Sequence, residues 1–565
     1  MDRVKIDNKA SLIWSIADKL QGDYKPHEYG GIILPFTVLK RFDSVLKDTK
    51  EDVLKVASNY SSITPPIAKL LKKTARQEIY NISKYDFKKL LDDPDNIEDN
   101  FKKYINGFSD EVLDIMSNFD FEKQIEALAN KNILYVIIQE FNSEKAELHP
   151  DKISNIEMGY IFEEIIRKFS ETYNEDAGEF YTPREVIDLM VKLVFDNEDL
   201  KENHKILSIY DGACGTGGML SIAYEYIRKL NTTNEVFCHG QESNPQTYAI
   251  CKSDMLLKGQ EAHIKYGNTL SGDCFADDYF DYIIMNPPFG REWKKEKEKI
   301  IEEYKRGSGG RFNAGVPAIS DSQLLFLQNA ISKMNPSGSK IAIIHNGSAL
   351  FNGEAGSGPS DIRKYILEND LLDAIIQLPN NIFYNTGIIT YIWLLSNKKE
   401  HKRINKVQLI DASDFFVKRK KALGEKKNDI TKEHINKIIQ TYIMYEENDI
   451  CKIFDKEEFY YKNITINYFE MPADKTSNIK KIKKGIKNVE NIPFKQDMHK
   501  WLEEIRKYEP NAIVDEESVK IGYEIAFPKY FYKDKNRKSA NEIVEEVIKI
   551  QQENISNLKE LKINE

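Results

Sequence analysis

Four consecutive residues, Asn286, Pro287, Pro288 and Phe289, combine an amide, two rigid backbone positions and an aromatic ring. They follow the apolar run Tyr282–Met285, whose length and composition predict a buried parallel strand. The two prolines remove backbone donors and fix φ, so the strand must end there. Ligands of open α/β sheets bind at the carboxyl ends of the strands. The sequence therefore predicts hydrogen-bond acceptors and an aromatic ring at the edge of the sheet where ligands bind.

These acceptors suit a reaction at an amino nitrogen whose lone pair is delocalised into a ring, such as the exocyclic nitrogen of adenine. The Asn286 side-chain oxygen and the Pro287 carbonyl would bind its hydrogens and stabilise the pyramidal transition state over the planar ground state. Phe289 would stack on a base taken out of the double helix. An ordinary strand-ending turn explains the same residues. The motif alone leaves both interpretations open.

A second candidate site is a glycine-rich turn. Residues 206–210 predict a strand and 219–230 a helix, with DGACGTGG (211–218) between them. Strand, glycine turn and helix form a nucleotide-binding arrangement, although the central glycine of a dinucleotide fingerprint would fall at Cys214. The glycines allow the backbone to approach a bulky ligand, and Asp211 would attract a positively charged group. A tight structural turn is the alternative.

Two further strand ends carry polar side chains. The predicted strand 235–242 ends at Glu242, at the distance where an acidic residue holds ribose hydroxyls in such folds. The predicted strand 263–266 is followed by Asn268, although an amide at a strand end is also common in ordinary turns. Upstream, the segment 180–183 has two aromatic residues followed by Thr-Pro at the start of a predicted helix. This pattern predicts a pocket wall.

Composition limits the classes of function. The chain has 565 residues and a formal net charge of −9, which is unfavourable for holding a DNA duplex without a more basic partner. Its five cysteines are scattered, which predicts a reduced, cytoplasmic setting. The nine histidines do not cluster with other ligands, so no metal is expected. No signal peptide and no membrane-spanning run is predicted.

The order of patterns predicts three regions around these motifs. Residues 1–150 read as a helical N-terminal domain, either an interface domain or a plain accessory bundle. Residues 151–415 alternate strands and helices, with a long polar loop from 291 to about 320. Residues 416–565 read as a mainly helical, partner-binding region. Its two basic runs (418–421 and 480–484) favour solvated surface over DNA contact.

Together these segments resemble the modification (methyltransferase) subunit of type I restriction-modification systems, within the N6-adenine DNA methyltransferases. The resemblance rests on the order of motifs GEFYTP (178–183), DGACGTGG (211–218), Glu242, GNTL (267–270) and NPPFG (286–290). Later stretches that also match are 320–327, 345–358, 378–397, 407–413 and 522–532. The resemblance thus covers nearly the whole chain.

The resemblance implies an α/β fold with a Rossmann-like core that uses S-adenosyl-L-methionine (S-adenosylmethionine). It implies transfer of a methyl group to a flipped adenine of double-stranded DNA at four catalytic positions, Asn286, Pro287, Pro288 and Phe289. The cofactor-binding positions that it implies are Glu179, Phe180, Tyr181, Thr182, Pro183, Asp211, Gly212, Gly215, Thr216, Gly217, Gly218, Glu242, Asn268 and Thr269. Two departures are visible, since Gly212 stands where many relatives have Pro and Asn268 where many have Asp.

The resemblance also implies partners. Two copies of the chain would flank one separate DNA-specificity subunit, with a restriction (translocase/nuclease) subunit joining them. Three alternatives remain: a self-sufficient adenine methyltransferase that reads DNA with residues 416–565, an enzyme that modifies a protein glutamine, and a non-catalytic scaffold. Intact pocket motifs argue against a scaffold, and the long N-terminal domain argues against a protein substrate.

Overall fold

The computed structural model describes residues 3–25, 28–172, 182–196, 200, 204–258, 260, 262–468, 486–510, 512–532 and 540–563. The chain forms two compact units, Met1–Ile525 and Ala526–Glu565. None of the described helices combines the length and the apolar character that crossing a membrane requires.

The first part of the chain is helical, which confirms the prediction for this region. Its core forms around Phe36 in α2, whose ring stacks on Phe101 and Phe141 and meets the edge of Phe121. Residues of α9 and α12 complete the same core, so the helical layer packs directly on the α/β layer. The helices are α1 (Arg3–Trp14), α2 (Tyr29–Leu46), α3 (Lys50–Ala57), α4 (Pro65–Ala75), α5 (Ile97–Ile105), α6 (Asp110–Asn118), α7 (Phe121–Asn130), α8 (Leu134–Phe141) and α9 (Asn155–Thr172), and α12 is Pro245–Lys258.

A nine-stranded sheet, with the order β11-β8-β6-β7-β5-β4-β1-β2-β3, forms the centre of the α/β layer. Strands β1 to β5 are mutually parallel, and β7 runs antiparallel between β5 and β6. The strands are β1 (Ile206–Asp211), β2 (Glu235–Glu242), β3 (Ala262–Tyr266), β4 (Tyr282–Met285), β5 (Lys340–Asn346), β6 (Leu372–Gln377), β7 (Thr390–Ser396), β8 (Lys406–Asp411) and β11 (Cys451–Asp455). The predicted α/β core is therefore confirmed.

Helices cover this sheet and pack against its apolar faces. Buried side chains of α10, such as Leu189 and Met190, join β1 and β4 in one core. The helices of this layer are α10 (Arg184–Phe195), α11 (Gly218–Leu230), α13 (Lys297–Lys305), α14 (Gln323–Ser332), α15 (Ser348–Phe351), α16 (Gly358–Glu368) and α17 (Lys432–Met444). Helix α13 lies within the polar loop that the sequence predicted.

The region after residue 415 is mixed, not mainly helical as the sequence analysis expected. Strand β11 extends the central sheet by pairing antiparallel with β8. A hairpin of β9 (Val417–Leu423) and β10 (Lys426–Asp429) carries the first basic run, and the second lies outside the described residues. A further antiparallel sheet joins β12 (Tyr460–Tyr468), β13 (Ile486–Pro493) and β14 (Ala512–Tyr523), with α18 (Met498–Arg506) against it.

The reason for this difference is visible in β12. Ile464 and Ile466 alternate with polar residues and are fully buried in a small core with Leu502 of α18. Such a two-residue alternation within a lysine-rich, charged segment is a weak strand signal. The second unit holds α19 (Phe527–Tyr530) and the long α20 (Ala540–Ile563), so the end of this region is helical as expected.

A buried arginine ties β14 to the α/β layer. The Arg363 guanidinium donates to the carbonyls of Tyr523 (2.6 Å), Ala349 (3.1 Å) and Asn352 (2.8 Å). Burial lowers the pKa of Arg363 to about 10, which leaves it charged at neutral pH. One side chain thus satisfies three carbonyls from two segments that are distant in sequence.

We expect Arg363→Met to destabilise the fold by roughly 3 kcal/mol or more, because buried carbonyls are left without a donor. Hydrogen exchange should accelerate most in β14 and α16. The matched control is Lys364→Met, since Lys364 is the exposed neighbour on the same helix. Equal protection of β14 in both variants would contradict the anchoring role.

Candidate active site

The four polar strand ends that the sequence singled out lie at one edge of the central sheet. Strands β4, β1, β2 and β3 are consecutive neighbours and all parallel, so their carboxyl ends point the same way. Asp211, Glu242, Asn268 and Asn286 stand at or directly after those ends. The parallel topology therefore brings together residues that are up to 75 positions apart.

Two adjoining cavities open at this edge and share Ala213, Gly215 and Asn286. The first cavity is also lined by Gly159, Phe162, Thr182, Arg184, Ile187, Asp211, Cys214, Thr216, Gly218, Met219, Ser221, Ile222, Ile250, Asp254 and Lys258. The second cavity is also lined by Gly212, Gln241, Glu242, Ser243, Asn268, Thr269, Leu270, Pro288, Arg291, Glu292, Trp293, Glu296, Ser322 and Phe326. An elongated ligand could thus extend from one cavity to the other past Asn286.

Asp211 is the buried acid of the first cavity, with 1% of its surface exposed. Its carboxylate accepts one hydrogen bond from the Ala213 backbone N–H (3.0 Å). Burial, reinforced by the nearby charge of Glu242, raises the pKa of Asp211 to about 8. An acid held in this way gains most from a cationic group, because a cation would offset the cost of its burial.

The glycine turn needs its glycines for close packing. Gly217 has a φ of +82°, and a Cβ atom there would lie 2.6 Å from the Cys251 sulfur. A Cβ atom at Gly212 would lie 2.7 Å from the Tyr210 hydroxyl. The turn therefore lies tightly against β1 and α12.

Glu242 connects the turn to the end of β2. Its carboxylate accepts from the backbone N–H groups of Gly215 (2.9 Å) and Asn244 (2.6 Å). Burial raises the pKa of Glu242 above its usual value, while these bonds favour the charged form. Oε1 also accepts from the Ser243 hydroxyl (3.4 Å), whereas Oε2 has only one donor among the described residues. Oε2 therefore retains a lone pair that could accept from a hydroxyl group in the second cavity.

Asn286 has a fixed orientation. Its amide Nδ2 donates to the Thr182 hydroxyl (2.7 Å), which places Oδ1 on the other side of the group. Asn286 Oδ1 is buried and accepts no hydrogen bond from any residue that the structure describes. A buried acceptor without a donor costs free energy, and a ligand that donates there would remove the cost.

The rest of the Asn-Pro-Pro-Phe segment forms the adjacent wall. Pro287 is buried, Pro288 lines the second cavity, and the half-buried Phe289 ring meets the Phe383 ring edge-on at 6.0 Å. Phe383 belongs to the segment between β6 and β7. The sequence of that segment resembles the family, but no local signal in it places Phe383 beside β4.

The end of β3 has partners that the sequence did not indicate. Thr269 donates its hydroxyl to the Gly212 carbonyl, so this side chain holds the glycine turn. Asn268 Oδ1 accepts from the Leu270 N–H (3.0 Å), and its Nδ2 donates to Glu296 Oε1 (2.7 Å). Glu296 lies in the long polar loop and was missed. The length of that loop was the only sequence signal for it.

The remaining candidate positions fall into two groups. Thr216 and Gly218 line the first cavity, and Pro183 precedes α10, where its carbonyl accepts from the Val186 and Ile187 N–H groups. Glu179, Phe180 and Tyr181 lie outside the described residues. Of the predicted positions that the structure describes, all except Pro183, Gly217, Pro287 and Phe289 line one or both cavities.

Two family models match the chain. The model of the N-6 DNA methylase family covers residues 154–479, more than half of the chain, and that of the HsdM N-terminal domain covers 9–141. Among curated proteins, the MjaIX methylase subunit of a type I restriction enzyme from Methanocaldococcus jannaschii is 26% identical over 89% of this chain and 88% of its own. The EcoEI methylase subunit from Escherichia coli is 31% identical over 44% of this chain and 47% of its own.

Solved structures share the fold. A type I restriction-modification methyltransferase subunit from Streptococcus thermophilus superposes with a TM-score of 0.62 at 24% identity, covering 80% of this chain and 96% of its own. A chain from a study of type I complex assembly gives a TM-score of 0.52 at 18% identity over 98% of this chain and 97% of its own. With these matches, the chain belongs to the N-6 DNA methylase family and carries an HsdM N-terminal domain ahead of the methylase domain.

Proposed function

We propose that this chain transfers a methyl group from S-adenosylmethionine to the exocyclic N6 nitrogen of an adenine in double-stranded DNA, as the modification subunit of a type I complex. The observation that carries the proposal is the buried Asn286 Oδ1, held by Thr182 at the junction of two cavities. It is a preorganised acceptor without a donor among the described residues. An amino group is the donor that fits it.

The polar groups around the first cavity fit the amino-acid end of S-adenosylmethionine. In the second cavity, Glu242 fits its ribose. Asp211 would bind the ammonium group, and the backbone N–H groups of Thr216 and Gly218 would face the carboxylate. Glu242 would accept from the ribose hydroxyls. When bound, this cofactor supplies an electrophilic methyl group on a sulfonium sulfur.

The residues that would act on the target nitrogen come directly after β4 in the chain. Asn286 Oδ1 and the Pro287 carbonyl would accept the two N6 hydrogens and favour a pyramidal nitrogen whose lone pair points away from them. Phe289 would stack on the flipped base, since its ring is only half-buried against Phe383. No residue needs to form a covalent bond with the methyl group, because the orientation of the reactants and these two acceptors would provide the rate enhancement.

Sequence specificity would come from a separate subunit. The net charge of −9 gives the chain little electrostatic affinity for a duplex. The exposed basic residues of β9 form a short run, and Arg419 within it is paired with Asp429. The relatives are named as subunits of type I restriction enzymes, and one matched structure comes from a study of complex assembly. Two copies would flank one specificity subunit, with a restriction subunit joining them.

We expect Asn286→Ala to abolish methyl transfer, because one lost transition-state acceptor costs on the order of 2.7–4 kcal/mol. Cofactor affinity should change little, since the amide serves the target nitrogen. Transfer of labelled methyl groups and calorimetric binding measure the two effects. Asn352→Ala, an exposed amide elsewhere in the α/β layer, is the control. Near-normal turnover of the Asn286 variant would contradict the assigned role.

Asp211→Asn should weaken cofactor binding about tenfold or more, because the ammonium group loses a charged partner. The same change should stabilise the free chain. With a folded pKa of about 8 and an unfolded pKa of about 3.9, the native acid binds the extra proton, so its burial lowers stability as pH rises from 4 to 8.

The gain in stability of Asp211→Asn over the original chain should therefore grow between pH 5 and pH 8.5, to on the order of a few kcal/mol. Thermal unfolding across this pH range measures it. Asp277→Asn alters an exposed acid and should show neither effect. A stability difference that stays constant with pH would argue against a buried, protonated Asp211.

The chain alone should bind S-adenosylmethionine but methylate specific adenines on the order of a thousandfold more slowly than with its specificity subunit. The test supplies the purified chain with unmethylated DNA that carries the host's own modified sites. Adding the products of neighbouring genes should restore the rate. Efficient, site-specific methylation by the chain alone would instead support a self-sufficient enzyme that reads DNA with residues 416–565.

A further inference from the structure

Asn268, which the sequence assigned to the cofactor, has both of its polar side-chain atoms engaged within the protein. Oδ1 accepts from the Leu270 N–H at 3.0 Å, and Nδ2 donates to Glu296 Oε1 at 2.7 Å. The amide therefore shapes the turn after β3 and orients a neighbour. The carboxylate that it orients is the better candidate for ligand contact at this end of the second cavity.

Glu296 occupies an unusual position for an acid at a helix start. It is the residue that precedes α13, yet its side chain makes no capping bond to that helix. Among the described residues, only Asn268 donates to its carboxylate. The side chain is half-buried and lines the second cavity together with Glu242. One carboxylate oxygen, Oε2, is thus left to accept from a ligand.

The loop that carries Glu296 is fastened on both sides. Trp293 N–H donates to the Ile319 carbonyl (3.0 Å) and its indole N–H to the Ala318 carbonyl (2.9 Å). Beyond α13, Arg311 donates to the carbonyls of Thr269 (2.7 Å) and Leu270 (3.2 Å), next to Asn268. Glu296 is therefore held in place before any ligand arrives, which lowers the ordering cost of binding.

The second cavity also has walls that suit a flat ring. Trp293, Leu270 and Phe326 line it and are at least nine-tenths buried. Glu242, which would hold the ribose, lies on the same cavity. A base attached to that ribose would therefore lie between these apolar side chains, with its polar edge toward Glu296.

We propose that Glu296 recognises the exocyclic amino group of the cofactor's adenine and makes the site selective for adenine over hypoxanthine. The proposal rests on the proposed function, since it assigns the adenine end of the same ligand. An amino group donates to the free carboxylate oxygen. The oxo group of hypoxanthine places an acceptor against it, which leaves both groups without a donor.

The test compares the binding of S-adenosylhomocysteine with that of S-inosylhomocysteine, its counterpart with an oxo group in place of the amino group. Isothermal calorimetry on the full chain should show the adenine compound binding on the order of ten- to a hundredfold more tightly. Glu296→Gln keeps an acceptor for Asn268 and turns a donor toward the cavity. This variant should reduce the ratio of the two affinities by about tenfold or more.

Glu298→Gln is the matched control, because it removes the same charge from an exposed site two residues away and should keep the original ratio. Equal thermal unfolding temperatures would show that both variants are folded. An unchanged ratio in Glu296→Gln, or equal affinities in the unaltered chain, would overturn the role of Glu296 alone. If the unaltered chain binds neither compound, the cofactor assignment itself falls, and this inference falls with it.

Discussion

Parallel pairing of four neighbouring strands is the constraint on which the site depends. Because β4, β1, β2 and β3 run in one direction, their last residues emerge at a single edge. Parallel strands require crossover helices, which cover both faces and leave only this edge for polar groups. Asp211, Glu242 and Asn286 therefore meet where water can be excluded and a ligand admitted. The helical N-terminal layer supports this arrangement by packing on α9 and α12.

The buried polar groups at this edge are energetically unfavourable in the chain without a ligand. Asp211 and Glu242 are both buried, and burial raises the pKa of each. Asn286 adds a buried acceptor to which none of the described residues donates. A cofactor that brings a cation and hydroxyl groups would relieve the first two costs, and a target base that brings amino hydrogens would relieve the third. The binding energy of this site is thus stored as unfavourable free energy in the protein, in keeping with the usual balance between stability and activity.

Contacts from distant segments complete the site. The loop between β4 and α14 returns to β3 through Arg311 and Glu296, and the segment between β6 and β7 brings Phe383 to Phe289. Lys426 of β10 pairs with Glu185 at the start of α10. These links join the later half of the chain to the cavity walls. Substitutions in them are therefore expected to act on binding and turnover without touching the reacting atoms.

The sequence by itself determined the α/β core, the helical N-terminal region and the strand-end residues, because apolar runs and Gly or Pro breaks are local signals. It did not reveal β12 to β14, because their alternation of apolar and polar residues lies within a strongly charged stretch. Only the tertiary structure decided that Asn268 turns to Glu296 and Asn286 to Thr182. Each of these side chains could have bonded locally, and long-range packing selected its partner.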